Sequence, residues 1–262
     1  MHLKFLRSVV AAGFIAVSLL SAAGTAQAGN PILIRPIHLF IEPGGRTATL
    51  DLENLDAEAP IRVQVTAYNW DHGSGANIEE LKRADDVVIF PALVTLPKGE
   101  FRSVRFSAPP ATNVERTYRV LVEQLPEPQV PGNAGHHIEA GVTIRTRFSI
   151  PLYVLPAGAA PKPQIADLAV HGAKVTFALT NSGNAHFVPK KVALSGTNGA
   201  QKVIDSELEI SAVLANGRVP YESHLLPADC KKIKDVTVTV TSASGGDPLT
   251  ASLPVAEAQC LR

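Results

Sequence analysis

The sequence predicts an all-β protein built from two immunoglobulin-like β-sandwich domains in tandem. Three observations lead there. Short segments alternate apolar and polar residues with the two-residue period of a half-buried strand. Turn signals separate them at intervals of about 8–12 residues, the spacing of sandwich strands. The chain of 262 residues carries 20 Pro and 19 Gly, and long amphipathic helical patterns are absent.

The first unit reads clearly. Ile32–Ile41 is apolar, interrupted at Pro36 and closed by Glu42-Pro43-Gly44-Gly45. Thr47–Glu53 alternates, with Ala48, Leu50 and Leu52 on one face. Asn54–Pro60 is a turn, and Ile61–Trp70 alternates again through Ile61, Val63, Val65 and Ala67. Asp71–Ala84 is a polar loop, Val87–Phe90 a short strand ended by Pro91, and Leu96-Pro97-Lys98-Gly99 a turn. Phe101–Phe106 and Thr117–Gln124 follow. The set closes on 138–154, whose apolar or small residues keep one parity from Ile138 to Val154. That alternation outlasts an ordinary strand of five or six residues. A strand so long exposes a spare apolar face and unpaired backbone, either an aggregation hazard or an interface for another chain.

Pro156–Gln164 is rich in Pro and Ala and reads as a break between domains, with the hinge at 157–164. The first domain then spans 29–156 and the second 165–262. In the second, strands are expected at Gln164–Val170, Lys174–Asn181, Val188–Leu194, Ser206–Leu214, Arg218–Leu226, Lys234–Thr241 and Leu249–Val255, with turns at Asn181–Asn184 and Ser242–Pro248.

The chain starts with a short basic stretch, an apolar run from Ser8 to about Ala23, and Thr25-Ala26-Gln27-Ala28. This is the pattern of a secretory signal over residues 1–28, cleaved after Ala28, and the apolar run is short for a spanning helix. Removing those 28 residues leaves 234, enough for one large or two ordinary domains. Basic and acidic residues balance at 24 each, so no net field favours nucleic acid or a membrane surface. Cys230 and Cys260 are the only cysteines. In an exported chain they are expected to form one disulfide, closing a loop of about 30 residues for roughly 3 kcal/mol. Their spacing is not C-x-x-C, which argues against a redox-active pair.

Motifs for catalysis are missing: no G-x-S-x-G, H-E-x-x-H, phosphate-binding loop or G-x-G-x-x-G occurs. His136-His137 lacks a third ligand at a metal-binding spacing. Asp71, His72 and Ser74 name the members of a triad but lie in a polar loop that does not place them as one. The lone Trp70 reads as a core residue at its strand end. Neither an enzyme nor a cofactor or metal site is expected.

The order Pro36-Ile37-His38-Leu39, Glu42–Arg46, Ala67-Tyr68-Asn69-Trp70, Leu96–Gly99, Ser103-Val104-Arg105, Glu115–Arg119, Glu123–Pro126, Arg145–Pro151 and, further on, Leu179–Phe187 resembles the periplasmic pilus-assembly chaperones of the chaperone–usher pathway. The archaic subgroup is the most similar. The resemblance implies two immunoglobulin-like domains set at an angle around a cleft. It implies no enzyme activity, and function by donor-strand complementation, in which the long strand fills a groove in an incomplete fibre subunit. Ile138, Ala140, Val142 and Ile144 would enter that groove, while Phe148–Val154 would remain an ordinary core strand.

The resemblance also implies basic side chains in the cleft that hold the subunit's terminal carboxylate. A carboxylate leaving water needs charge-assisted partners, and Arg offers a bidentate fork. The first-strand position falls on His38, a departure from the family's Arg. Arg147 or Arg145 matches the position on the long strand, with Arg119 on its neighbour, and Arg119 with Arg147 is the expected pair. The implied partners are pilus or fimbrial subunits and an outer-membrane usher, with a self-capping homodimer as a resting form and no nucleic acid. The competing reading is an exported immunoglobulin-like binding or adhesion module. The low aromatic content, 5%, weighs against it.

Overall fold

The computed structural model describes residues 32–56, 59–71, 80–126, 146–243 and 245–260. In chain order its strands are β1 (Ile32–Arg35), β2 (Leu39–Ile41), β3 (Thr47–Asn54), β4 (Ile61–Asn69), β5 (Val88–Phe90), β6 (Leu93–Leu96), β7 (Phe101–Ser107), β8 (Arg116–Gln124) and β9 (Arg147–Val154). They continue with β10 (Pro163–His171), β11 (Lys174–Asn181), β12 (Pro189–Asn198), β13 (Gln201–Leu208), β14 (Arg218–His224), β15 (Asp235–Ser242) and β16 (Leu249–Pro254).

The first nine strands form two sheets, ordered β1-β3-β7-β5 and β2-β9-β8-β4-β6. Leu50, Leu52, Val104 and Phe106 from one meet Val63, Val120, Ile150 and Leu152 from the other in a single buried core. Alternation does the sorting: β3 buries Ala48, Leu50 and Leu52 and exposes Thr47, Thr49 and Asp51. Phe148, Ile150, Leu152 and Val154 of β9 point into this core, as expected for that half of the long strand.

The first strand changes sheets at Pro36. Before it, β1 pairs antiparallel with β3; after it, β2 pairs parallel with β9, but only from Leu39↔Leu152 to Ile41↔Val154. Among the described residues, no strand pairs with Phe148–Pro151 on the side of β9 away from β8. The expected interface residues Ile138, Ala140, Val142 and Ile144, with Arg145 and His136-His137, lie outside the described residues. So do His72 and Ser74.

Strands β10-β11-β14 and β13-β12-β15-β16 build a second sandwich around Val175, Phe177, Leu179, Leu194, Val238 and Val240. Cys230, at the end of the one-turn helix α1 (Pro227–Cys230), is bonded to Cys260 in a 3₁₀ turn (Glu257–Cys260).

Two strand assignments and the burial of Trp70 differ from expectation. β6 was not anticipated; its four residues follow Pro91 so closely that they read as part of the turn at Leu96–Gly99. β13 begins at Gln201 rather than Ser206, because Gly199 (φ 63°) and Ala200 form a tight hairpin turn that carries β12 on to Asn198. Trp70 is half-buried and is not part of either core.

Two asparagines, each the last residue of its strand, secure corresponding turns. Asn54 Nδ2 donates to the carbonyls of Ala59 and Leu96, and its Oδ1 accepts from the Asp56 amide. Asn181 Nδ2 reaches the carbonyls of Ala185, Val213 and Leu214, and its Oδ1 accepts from the amides of Lys162 and Gly183. The interdomain segment is thereby tied down: the Ala160 amide donates to Asn184 Oδ1 and the Ser182 amide to the Lys162 carbonyl. Gly183 permits this approach, since a Cβ there would lie 2.3 Å from the Ala160 carbonyl oxygen.

Candidate functional site

The outer face of the five-stranded sheet carries the basic side chains. Strand register arranges them in rows. Arg119 lies beside Pro151 on one side and Tyr68 on the other. His38 is exposed in the bend just before Leu39, the first residue of β2 to pair with β9. The neighbouring row holds Phe40, Tyr153 and Thr117. Two rows further the other way, Glu123 faces Arg147.

Arg119 is half-buried, with its guanidinium carbon 3.6 Å from the centroid of the Trp70 ring. That is cation–π distance, at which the indole face attracts the charge. Burial pulls the guanidinium below its ordinary value, opposed in part by the nearby Tyr153 phenol. Arg remains charged under such a shift. No described carboxylate lies within ion-pair distance of it.

Arg147 is differently placed. It is exposed, and its Nη2 lies 3.0 Å from Glu123 Oε1. Arg119 turns toward Trp70 at the far end of β4, away from that pair. His38 is exposed beside the sheet-switching segment. The structure thus sets Arg147 apart, on a carboxylate, and places Arg119 against the Trp70 ring.

The row next to Arg119 is where the second sandwich makes contact. Tyr153 is buried, and the His186 ring stacks on it with centroids 3.6 Å apart and planes 7° from parallel. Phe40 packs against Tyr153 at 5.5 Å and against His186 at 6.0 Å. Burial, reinforced by Glu115, pushes the Tyr153 phenol up, against an opposing pull from Arg119. The Glu115 side chain is fully buried and accepts from the His186 backbone amide, while its Oε1 lies 2.6 Å from His186 Nδ1. The Glu115 amide donates to the Asn184 carbonyl, and Asn184 Nδ2 to that of Asn113. Sequence reading missed this latch. Its halves lie 71 residues apart, and the only hint was that Glu115 and His186 each sit in a quoted family element.

A surface cavity of about 310 Å³ opens beside the latch, lined by Trp70, Asp86, Arg116 and Asn216 among others. Arg116 and the Tyr118 hydroxyl both bond Asp86 there, at 2.9 Å each. No group of residues suited to a metal ion occurs among the described residues.

The arrangement is a half-buried arginine against an indole, on a sandwich face where the second sandwich packs. Residues 32–160 match the family of pili and flagellar-assembly chaperones, as its PapD N-terminal domain, and the chain belongs with these chaperones, which catalyse no reaction. No sequence relative matches among curated proteins. Among solved structures, the archaic chaperone CsuC in its pre-assembly complex with the tip adhesion subunit CsuE of Csu pili, from Acinetobacter baumannii, is similar at TM-score 0.57 and 17% identity, covering 85% of this chain and 98% of that one. The Pseudomonas aeruginosa CupB2 chaperone matches at TM-score 0.52 and 15% identity, covering 86% and 100%. The E. coli chaperone DraB matches at 0.53 and 17%, covering 84% and 95%. At such identities the likeness is one of fold, and it spans both sandwiches. The stand-alone adhesion module is not favoured.

Proposed function

We propose that this protein binds pilus or fimbrial subunits in the periplasm by donor-strand complementation, keeps them from aggregating, and delivers them to an outer-membrane usher. The observation that carries this is that, among the described residues, no strand pairs with Phe148–Pro151 on one side of β9. Residues 138–144 run directly into it. Ile138, Ala140, Val142 and Ile144 enter the subunit's groove while their backbone groups extend its sheet. Each buried Val or Ile contributes roughly 1.5–3 kcal/mol before the costs of association.

Arg119 receives the subunit's terminal carboxylate, with His38 as a second donor. Arg147 and Arg145 flank the lent strand as secondary anchors. Residues 1–28 direct export and are cleaved after Ala28. Without a subunit, two copies cap each other's lent strands.

The test is to purify the tagged protein from the periplasm of its own organism and identify by mass spectrometry what accompanies it. The expected result is a stoichiometric β-rich exported protein that is lost on Ile144→Arg. If the variant retains its companion at wild-type stoichiometry, strand lending is wrong.

A further inference from the structure

We propose that Trp70 is the positioning residue of the carboxylate site, holding the Arg119 guanidinium aimed and unneutralised until a carboxylate arrives. The inference rests on the reading of Arg119 as the anchor and goes beyond it to how that anchor is kept ready.

A guanidinium that leaves water ordinarily takes a carboxylate with it, because an unpaired buried charge is costly. Even the exposed Arg35, Arg102, Arg116, Arg147 and Arg218 each have a carboxylate partner. Arg119 is half-buried and has an indole face instead. An aromatic face attracts a cation through its quadrupole while carrying no net charge. It also leaves the in-plane N–H fork of the guanidinium open, which is the edge that binds a carboxylate bidentately. A Glu or Asp in the place of Trp70 would occupy that fork and compete with the ligand.

Trp70 is built to stay in place. Its amide donates to the Thr117 carbonyl at 3.1 Å, and its own carbonyl accepts from the Thr117 hydroxyl. Thr117 lies two residues before Arg119 on β8, so platform and cation are fixed to the same strand. Tyr153 borders the indole at 6.1 Å and is itself stacked on His186. The indole belongs to neither core, so sandwich packing does not account for it.

The probe is the acetylated pentapeptide Val-Thr-Val-Thr-Val, as the free acid and as the C-terminal amide, which differ only in the terminal charge. Binding to the full-length exported protein is followed by the Arg side-chain Nε–H resonances. The wild type should prefer the acid by on the order of tenfold. Arg119→Leu should abolish that preference. Trp70→Leu should lose most of it at unchanged amide affinity, and Trp70→Phe should keep most of it. If the wild type shows no preference, the anchor reading itself falls and the proposal with it. If the wild type discriminates, Arg119→Leu does not, and Trp70→Leu still does in full, the anchor stands and Trp70 has no positioning role. A second readout needs no variant, because Trp70 is the only tryptophan in the chain. Its emission should respond to the acid and not to the amide. Unchanged emission while the Arg119 resonance moves would equally overturn the proposal.

Discussion

Replacing Glu115 with Ala should uncouple the two sandwiches. The side chain is fully buried and makes two contacts to His186, one to its backbone amide and one to ring Nδ1. Each hydrogen bond to a charged group contributes about 1.5–3 kcal/mol net, so losing two costs roughly 3–5 kcal/mol. Roughly 3–5 kcal/mol is a large share of a domain's total stability of about 5–15 kcal/mol. Because both contacts cross between the sandwiches, the loss falls on their coupling. The assay is urea unfolding followed by Trp70 emission, which reports on the first domain, and by far-UV circular dichroism, which reports on both. Wild type should give coincident transitions; Glu115→Ala should separate them, with the emission transition at lower urea. Glu115→Gln, which keeps the volume and an acceptor for the His186 amide, should cost about half as much or less. Coincident transitions in Glu115→Ala, displaced by under about 0.5 kcal/mol, would refute the idea that this contact holds the domains together.

Gly183→Ala should lower the midpoint of thermal unfolding by several degrees, since its Cβ would collide with the Ala160 carbonyl at 2.3 Å and release the interdomain segment; an unchanged midpoint would mean that the segment yields freely. Replacing both Cys230 and Cys260 with Ala should cost about 3–4 kcal/mol in urea titrations, from a loop of 30 residues in the unfolded chain. Alkaline stability should fall as pH rises above about 10, where phenols ionise in the unfolded chain but the raised Tyr118, Tyr153 and Tyr221 do not in the folded one. The unfolded state then binds fewer protons, so each phenol contributes a negative slope of up to about 1.4 kcal/mol per pH unit. Tyr153→Phe should flatten that slope between about pH 10 and 11.5 in urea titrations, and an unaltered slope would show that Tyr153 titrates normally.

Strands were legible wherever one face was buried, because burial writes itself into alternation. β3, β4 and β8 read almost to the residue for this reason. Alternation fails where a strand is short or where the turn is misread. β6 has four residues and two inward positions, too few to establish a period. β13 carries no fully buried side chain at all, so its sequence gave no face to follow and the expected strand slid five residues. The sheet switch of the first strand was visible only as an interruption at Pro36. Its consequence, that no described strand pairs with Phe148–Pro151 on that side of β9, is a property of pairing that no single segment encodes.

The site was legible in its types of residue and not in their partners. Arg119 and Arg147 lie on strand faces that alternation alone puts outward, and nothing local says which of them is neutralised. Register decides it. Glu123 stands directly opposite Arg147, so that arginine has a carboxylate from its own sheet. Arg119 stands opposite Pro151 and Tyr68, neither of which is charged, and its guanidinium lies over the Trp70 ring. The same face carries Tyr153 one row over, already engaged by His186 and through it by Glu115. Buried acid and unpaired base are therefore kept apart by one aromatic row. If Glu115 instead reached Arg119, the latch would lose its acceptor and the guanidinium would gain a carboxylate. Tyr153, close enough to feel both charges, lies in the row between them and is stacked on His186.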